Sequence, residues 1–214
     1  MIFPEIKKIA VNVIGSYDLN DIHNDVINFL YPVIDELNSI QIDYFICNQD
    51  VTDKNKEYHL ENSSVIYTPL VNEDHFLNLV TTSENRFIIK TLHKIFKISF
   101  RSYLNSIAIQ QDSLNNIYGM VITYSPMIKD CKINSLLIEQ DFLYARMSAD
   151  FRPLMLDYDL CITNMSTFFK VVNLWHFLSK IDNSSKLHIA DNNIHIFSSW
   201  LNMQNIRVRD LCDL

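Results

Sequence analysis

Residues 151–181, FRPLMLDYDLCITNMSTFFKVVNLWHFLSKI, decide the fold because their pattern changes period midway. Leu154, Leu156, Tyr158, Leu160 and Ile162 share one parity, and Met155, Asp157, Asp159 and Cys161 the other, which is the two-residue repeat of a half-buried strand. Thr163, Asn164 and Ser166 then offer capping oxygens, and the period becomes helical. Phe168, Val171, Val172, Trp175 and Leu178 form one apolar face, extended by Phe169, Leu174, Phe177 and Ile181. Lys170, Asn173, His176 and Lys180 leave only a narrow polar stripe. So apolar a helix is expected to be covered on more than one side, by its own sheet and by a second subunit.

Working outward, residues 6–14 read as a strand, 20–38 as an amphipathic helix that Pro32 kinks or divides, and Ile40 to Cys47 as a second strand. Together they make a β-α-β unit. Residues 48–64 are polar and loop-like, and a short strand from Ser64 to Thr68 stops at Pro69. Helix 84–98 sets an apolar face against the basic face Arg86, Lys90, Lys94 and Lys97, which is read either as solvated or as complementing an acidic neighbour. Residues 100–163 look β-rich, with strands expected at 103–110, 117–125, 132–139, 142–148 and 154–163. Beyond helix 166–181 a hairpin is expected at 186–190 and 194–198, with a short helix or arm over 199–214. The expected class is α/β (α+β): a mixed, largely antiparallel sheet with a few packed helices and strand–helix–strand units at both ends. The division is 1–70, a β-α-β unit with its loop, and 71–214, a β-rich part, either one compact domain or two closely packed.

Composition narrows the function. At 214 residues, 48% hydrophobic and 20% charged, the chain has ample length for a core. A net charge of −7 argues against a binder that works by neutralising phosphates. Only Gly15 and Gly119 are glycine, so no glycine-rich phosphate loop of the P-loop or dinucleotide type can be written. Cys47, Cys131, Cys161 and Cys212 are scattered without a close pair, so no zinc module is expected, and Cys47 and Cys161 read as buried strand thiols. No secretory signal and no membrane span are read, and no cofactor is expected.

Candidate chemistry is sparse. Asp157 and Asp159 leave one strand face about 7 Å apart, a spacing suited to a divalent metal, yet alternation alone already places polar residues there. His188, Asp191 and His195 match no specific metal motif, and His176 with Cys161 or Ser166 makes an unpersuasive nucleophile and base.

Pro153, Leu156, Tyr158, Leu160 and Ile162, followed by Val171, Val172, Trp175 and Leu178 and a closing strand pair, resemble the tail-completion or tail terminator proteins of tailed bacteriophages, of the sheath-terminator type. That resemblance implies a non-enzymatic α/β subunit of a homo-oligomeric, hexameric ring at the tail–connector junction. It implies virion localisation after synthesis in the host cytoplasm, other tail and connector proteins as partners, DNA only as passing cargo, and no membrane. Phe168, Phe169, Val172, Trp175, Phe177 and Leu178 are then the expected interface. The alternatives are a metal-dependent enzyme using Asp157 and Asp159, and a small phage protein that binds and inhibits a host target.

Overall fold

The computed structural model describes residues 6–32, 39–47, 60–68, 100–133, 141–147, 153–154, 160–178 and 200–211. Strand β1 (Lys8–Ile14) and strand β2 (Gln41–Cys47) each bury six of their seven residues. Runs buried on both faces belong to the middle of a parallel sheet covered by helices. The two are parallel in register, Lys8 opposite Gln41 through Ile14 opposite Cys47. Helix α1 (Leu19–Leu30) makes the crossover between them. Asp18 caps it by accepting from the Asn20 backbone N–H at 2.9 Å, and Leu19, Ile22, Val26, Phe29 and Leu30 face inward. Its last backbone bond, Tyr31 N–H to Ile27 O at 2.9 Å, comes immediately before Pro32, which has no N–H to continue the ladder. α1 therefore ends just before the proline, and residues 33–38 of the expected helix 20–38 lie outside the described residues.

Strand β3 (Ser63–Tyr67) pairs parallel to the outer side of β2, and β4 (Met120–Thr123) pairs parallel to the other side of β1. Strand β7 (Cys161–Thr163) runs antiparallel between β4 and β5 (Phe142–Met147). Strand β8 (Arg207–Asp210) pairs parallel to β5, and the two-residue β6 (Pro153–Leu154) pairs antiparallel to the end of β5. The described strands thus form one sheet of eight, ordered β3-β2-β1-β4-β7-β5, with β8 and β6 both on β5. The expected mixed α/β class holds, but the described sheet is mostly parallel rather than largely antiparallel, with antiparallel pairing confined to β6 and β7. Because β1 pairs with β4, the sheet also runs across the division drawn at residue 70.

Helices cover both faces. Ile9, Val11 and Val13 of β1, with Ile42, Tyr44 and Ile46 of β2, pack against α1. Ala10, Phe45 and Val121 point the other way, onto Ile109 of helix α2 (Phe100–Ser113) and Phe168 and Val172 of helix α3 (Met165–Leu178). Asn164 caps α3, accepting from the Thr167 backbone N–H at 2.8 Å, and Lys170 pairs with Asp141 at 2.9 Å beside the start of β5.

Several expectations change. Residues 103–110, read as a strand, lie inside α2. Its buried face is Leu104, Asn105, Ser106 and Ile109, so polar residues occupy the positions where an apolar helical stripe would have shown. The strand expected over 154–163 is not continuous, since Leu160 separates β7 from the residues before it. The strand expected over 132–139 begins in non-strand residues at 132–133, and the rest lies outside the described residues. The tail is neither a lone helix nor a free arm: a helical turn at 200–203 ends at Asn205, in the left-handed region at φ 54°, and leads into β8. Helix 84–98 and the hairpin 186–198 lie outside the described residues.

Candidate functional site: the crevice between β1 and β4

From β1 the chain crosses through α1 on one face to β2 and then β3. It returns beneath the opposite face, through α2, to β4 on the far side of β1. The segment that leaves β4 packs on the same face as α1, with Ile128 and Ile133 in the core that α1 covers, so the chain beyond the carboxyl ends of β1 and β4 lies side by side on that face. Ligands of open α/β sheets bind outside the carboxyl ends of the strands, which makes these loops the candidate site.

The residues at that point are Gly15-Ser16-Tyr17-Asp18 after β1 and Tyr124-Ser125-Pro126 after β4. Gly15 has φ +121°, a conformation costly for any residue with a Cβ, and an added Cβ would meet the Tyr17 ring at 3.0 Å. The Tyr17 and Tyr124 rings meet edge to face with centroids 5.3 Å apart, so an aromatic contact bridges the ends of the two strands. Tyr124 is buried, and its hydroxyl donates to Asp25 Oδ2 at 2.7 Å. Burial first, and that carboxylate second, push the Tyr124 hydroxyl above the ordinary phenol range. Asp25 also pairs with Lys129 at 3.4 Å. Lys129 lies in the 3₁₀ helix Pro126–Asp130, whose first turn is capped by Ser125. Between that helix and α1 lies an open cleft of about 580 Å³ lined by Asp25, Asn28, Phe29, Lys129, Lys132 and Ile133 among others.

The underside of the crevice is held by a buried polar cluster. Asn105 reaches from α2 and donates through Nδ2 to Val13 O at 3.3 Å, Phe45 O at 3.2 Å and the Asn12 side chain. Its Oδ1 accepts from Thr68, while Asn12 donates to Thr123 at 3.4 Å. Side chains following β3, in α2 and in β1 and β4 thus tie four parallel strands together near their carboxyl ends. Such a network fixes strand positions without an apolar contact.

A second polar cluster sits towards the other end of the sheet. Asp43, 1% exposed, accepts from Gln41 at 2.9 Å, from Ser64, and from the Tyr118 hydroxyl at 2.7 Å. The same hydroxyl also contacts Asp112, which accepts from Asn116 at 3.1 Å. One hydroxyl hydrogen serves two carboxylates, so it donates to one at a time. Burial, then the Asp112 and Asp43 contacts, raise the Tyr118 pKa. On the α1 face, His23 Nδ1 and the Tyr44 hydroxyl are hydrogen-bonded at 2.7 Å. Burial lowers the His23 pKa. The unfolded chain therefore takes up a proton at His23 before the folded chain does, and stability should fall as pH drops below about 6.5, towards the folded value. In thermal melts between pH 8 and pH 5, His23→Gln should flatten that acid limb. An unchanged limb would assign it to other groups.

None of the singled-out residues that the structure describes takes part in these contacts. Phe168 and Val172 are buried against the chain's own sheet, and Phe169 is half-buried beside Phe168 with ring centroids 5.7 Å apart. The side chains of Trp175, His176, Phe177 and Leu178 lie outside the described residues. So do Arg86, Lys90, Lys94, Lys97, Asp157, Asp159, His188, Asp191 and His195. Cys161 is buried in β7, where burial pushes its thiol up to about 12, far from a reactive thiolate. Among the described residues no three metal-binding side chains converge, and no helix is long and apolar enough to cross a membrane. Sequence reasoning missed Tyr17, Asp25, Tyr124 and Asn105. The one available signal was Gly15-Ser16 directly after a strand and before a helix.

Comparison with protein-family models finds no matching family, and comparison with curated proteins finds no matching relative.

Proposed function

We propose that the chain is a nucleotide-sugar-binding domain of the glycosyltransferase type, holding a nucleoside diphosphate over the crevice between β1 and β4. The supporting observation is the strand order. Numbering the strands along the chain without the two-residue β6, the sheet runs 3-2-1-4-6-5-7 with the sixth strand alone reversed. The 3-2-1-4 part is the nucleotide-binding half of a doubly wound sheet. The reversed strand beyond it is the layout on which nucleotide-sugar glycosyltransferases are built, so the step from order to activity is an analogy of fold.

Local chemistry separates this reading from a dinucleotide site. In a dinucleotide fold the pyrophosphate rests on the amino end of the first helix, approached through a glycine-rich turn. Here the carboxylate of Asp18 already caps that end, and its negative charge opposes a phosphate there. The loop after β1 instead offers Tyr17, a ring suited to a base, which leaves the phosphates towards the β4 side. A scarcity of glycine is no obstacle to that arrangement. It needs a single positive-φ residue, at Gly15.

The test is a thermal-shift series with UDP, GDP, CDP, ADP and NAD, each with and without Mg²⁺ or Mn²⁺. One nucleoside diphosphate should stabilise the chain, by about 2.7 kcal/mol at a hundredfold excess over its Kd, while NAD does not. No shift with any nucleoside diphosphate would overturn the reading. The metal arms also decide whether Asp157 and Asp159 act as ligands.

A ring-forming tail-completion subunit is the second reading, favoured by Leu114 and Ile117, which expose 86% and 82% of their surface. Light scattering over a concentration series separates the two. A mass near six subunits supports the ring, and a monomer that binds a nucleotide removes it.

A further inference from the structure

Resting on that nucleotide-binding reading, we infer that Asp25 is a positioning residue for the base, acting through Tyr124 on Tyr17. Asp25 lies on α1 well past its capped end and is only partly exposed. It reaches the site through one contact, the 2.7 Å hydrogen bond from the Tyr124 hydroxyl. Tyr124 is also held from its backbone, whose N–H donates to Asn12 O at 2.9 Å. With main chain and hydroxyl both fixed, its ring has no freedom to swing. It meets the Tyr17 ring edge to face, with centroids 5.3 Å apart.

Tyr17 has less support of its own. It follows Gly15, whose missing Cβ leaves the space that its ring fills, and it is only half-buried. Its orientation therefore depends on its edge-to-face contact with the Tyr124 ring. The Lys129 ion pair holds the Asp25 carboxylate from the 3₁₀ helix, and the strut so formed runs from that helix through α1 to the loop after β1. A structural role alone would affect every ligand equally. A positioning role discriminates by the base.

The experiment titrates the full chain by calorimetry with the stabilising nucleoside diphosphate and with inorganic pyrophosphate, which has no base. The variants are Asp25→Ala, Tyr124→Phe, their double, and Asp25→Asn, each checked by thermal melting. Asp25→Ala and Tyr124→Phe should each weaken the nucleoside diphosphate by about three- to tenfold, the span an oriented aromatic contact supports. Pyrophosphate binding should not change. The double variant should be no worse than either single, because both remove one hydrogen bond. Asp25→Asn, which keeps an acceptor oxygen, should stay close to the parent. Equal losses for pyrophosphate, additive losses in the double, or no loss in Asp25→Ala would each overturn the inference. If the parent binds no nucleoside diphosphate at all, the nucleotide reading fails and the inference with it.

Discussion

Replacing Asn105 by leucine should cost about 3–5 kcal/mol of stability, enough to unfold a domain of ordinary margin. Leucine nearly matches the volume, so the loss would come from polar groups rather than from a void. In the parent, Asn105 accepts from Thr68 and donates to Asn12, Val13 O and Phe45 O, and both Asn12 and Asn105 are wholly buried. The variant leaves the Thr68 hydroxyl and the Asn12 carbonyl without that partner in a dry interior, each costing about 1–3 kcal/mol. Urea denaturation should show a lower midpoint at an unchanged slope. A loss under about 1 kcal/mol would mean that water or a neighbour replaces the asparagine.

The next largest effect is expected at Tyr118. Tyr118→Phe keeps the edge-to-face contact with Phe45, centroids 5.9 Å apart, and removes only the hydroxyl. Asp43 and Asp112 both lose its hydrogen, at a cost of about 1.5–3 kcal/mol for a bond to a charged acceptor. The pH dependence fixes the cause. A phenol with a raised folded pKa contributes stability that is fully present below the unfolded value, about pH 10, and lost as pH rises through the folded one. The parent should therefore lose stability above about pH 10. Tyr44 and Tyr124 add to that loss in the same direction, so the variant should retain part of the alkaline slope and shed part. An alkaline limb identical in the two proteins would exclude Tyr118 as a contributor.

Apolar runs reported β1 and β2 faithfully. Strands β1 and β2 are buried on both faces, and continuous hydrophobicity is what such strands show. The end of α1 at Pro32 was legible because it rests on local chemistry, a missing N–H. Helix α2 was misread because Asn105 and Ser106 belong to its buried face, Asn105 satisfied by bonds to distant strands that no local window contains and Ser106 by the Tyr103 carbonyl one turn back. The crevice was illegible for a related reason. Tyr17 and Tyr124 stand 107 positions apart in sequence and meet only after β1 and β4 pair. The aromatic helix of 151–181 suggested an interface, yet Phe168 and Val172 are accounted for by the face of the sheet beneath them.

The placement of β8 bears on how the chain is made. Its residues, Arg207–Asp210, pair with Phe142–Ala145 of β5, the four residues of that strand that are fully buried. The opposite edge of this segment is occupied once residues 161–163 have emerged from the ribosome. Forty-three residues separate Thr163 from Arg207, which at 5–20 residues per second is about two to nine seconds of synthesis. For that interval an apolar strand edge has no β8 to pair with, an opening for pairing with other nascent chains. A ribosome pausing between those codons would lengthen the interval. The yield of folded chain should thus depend on translation speed across residues 164–206 more than anywhere earlier.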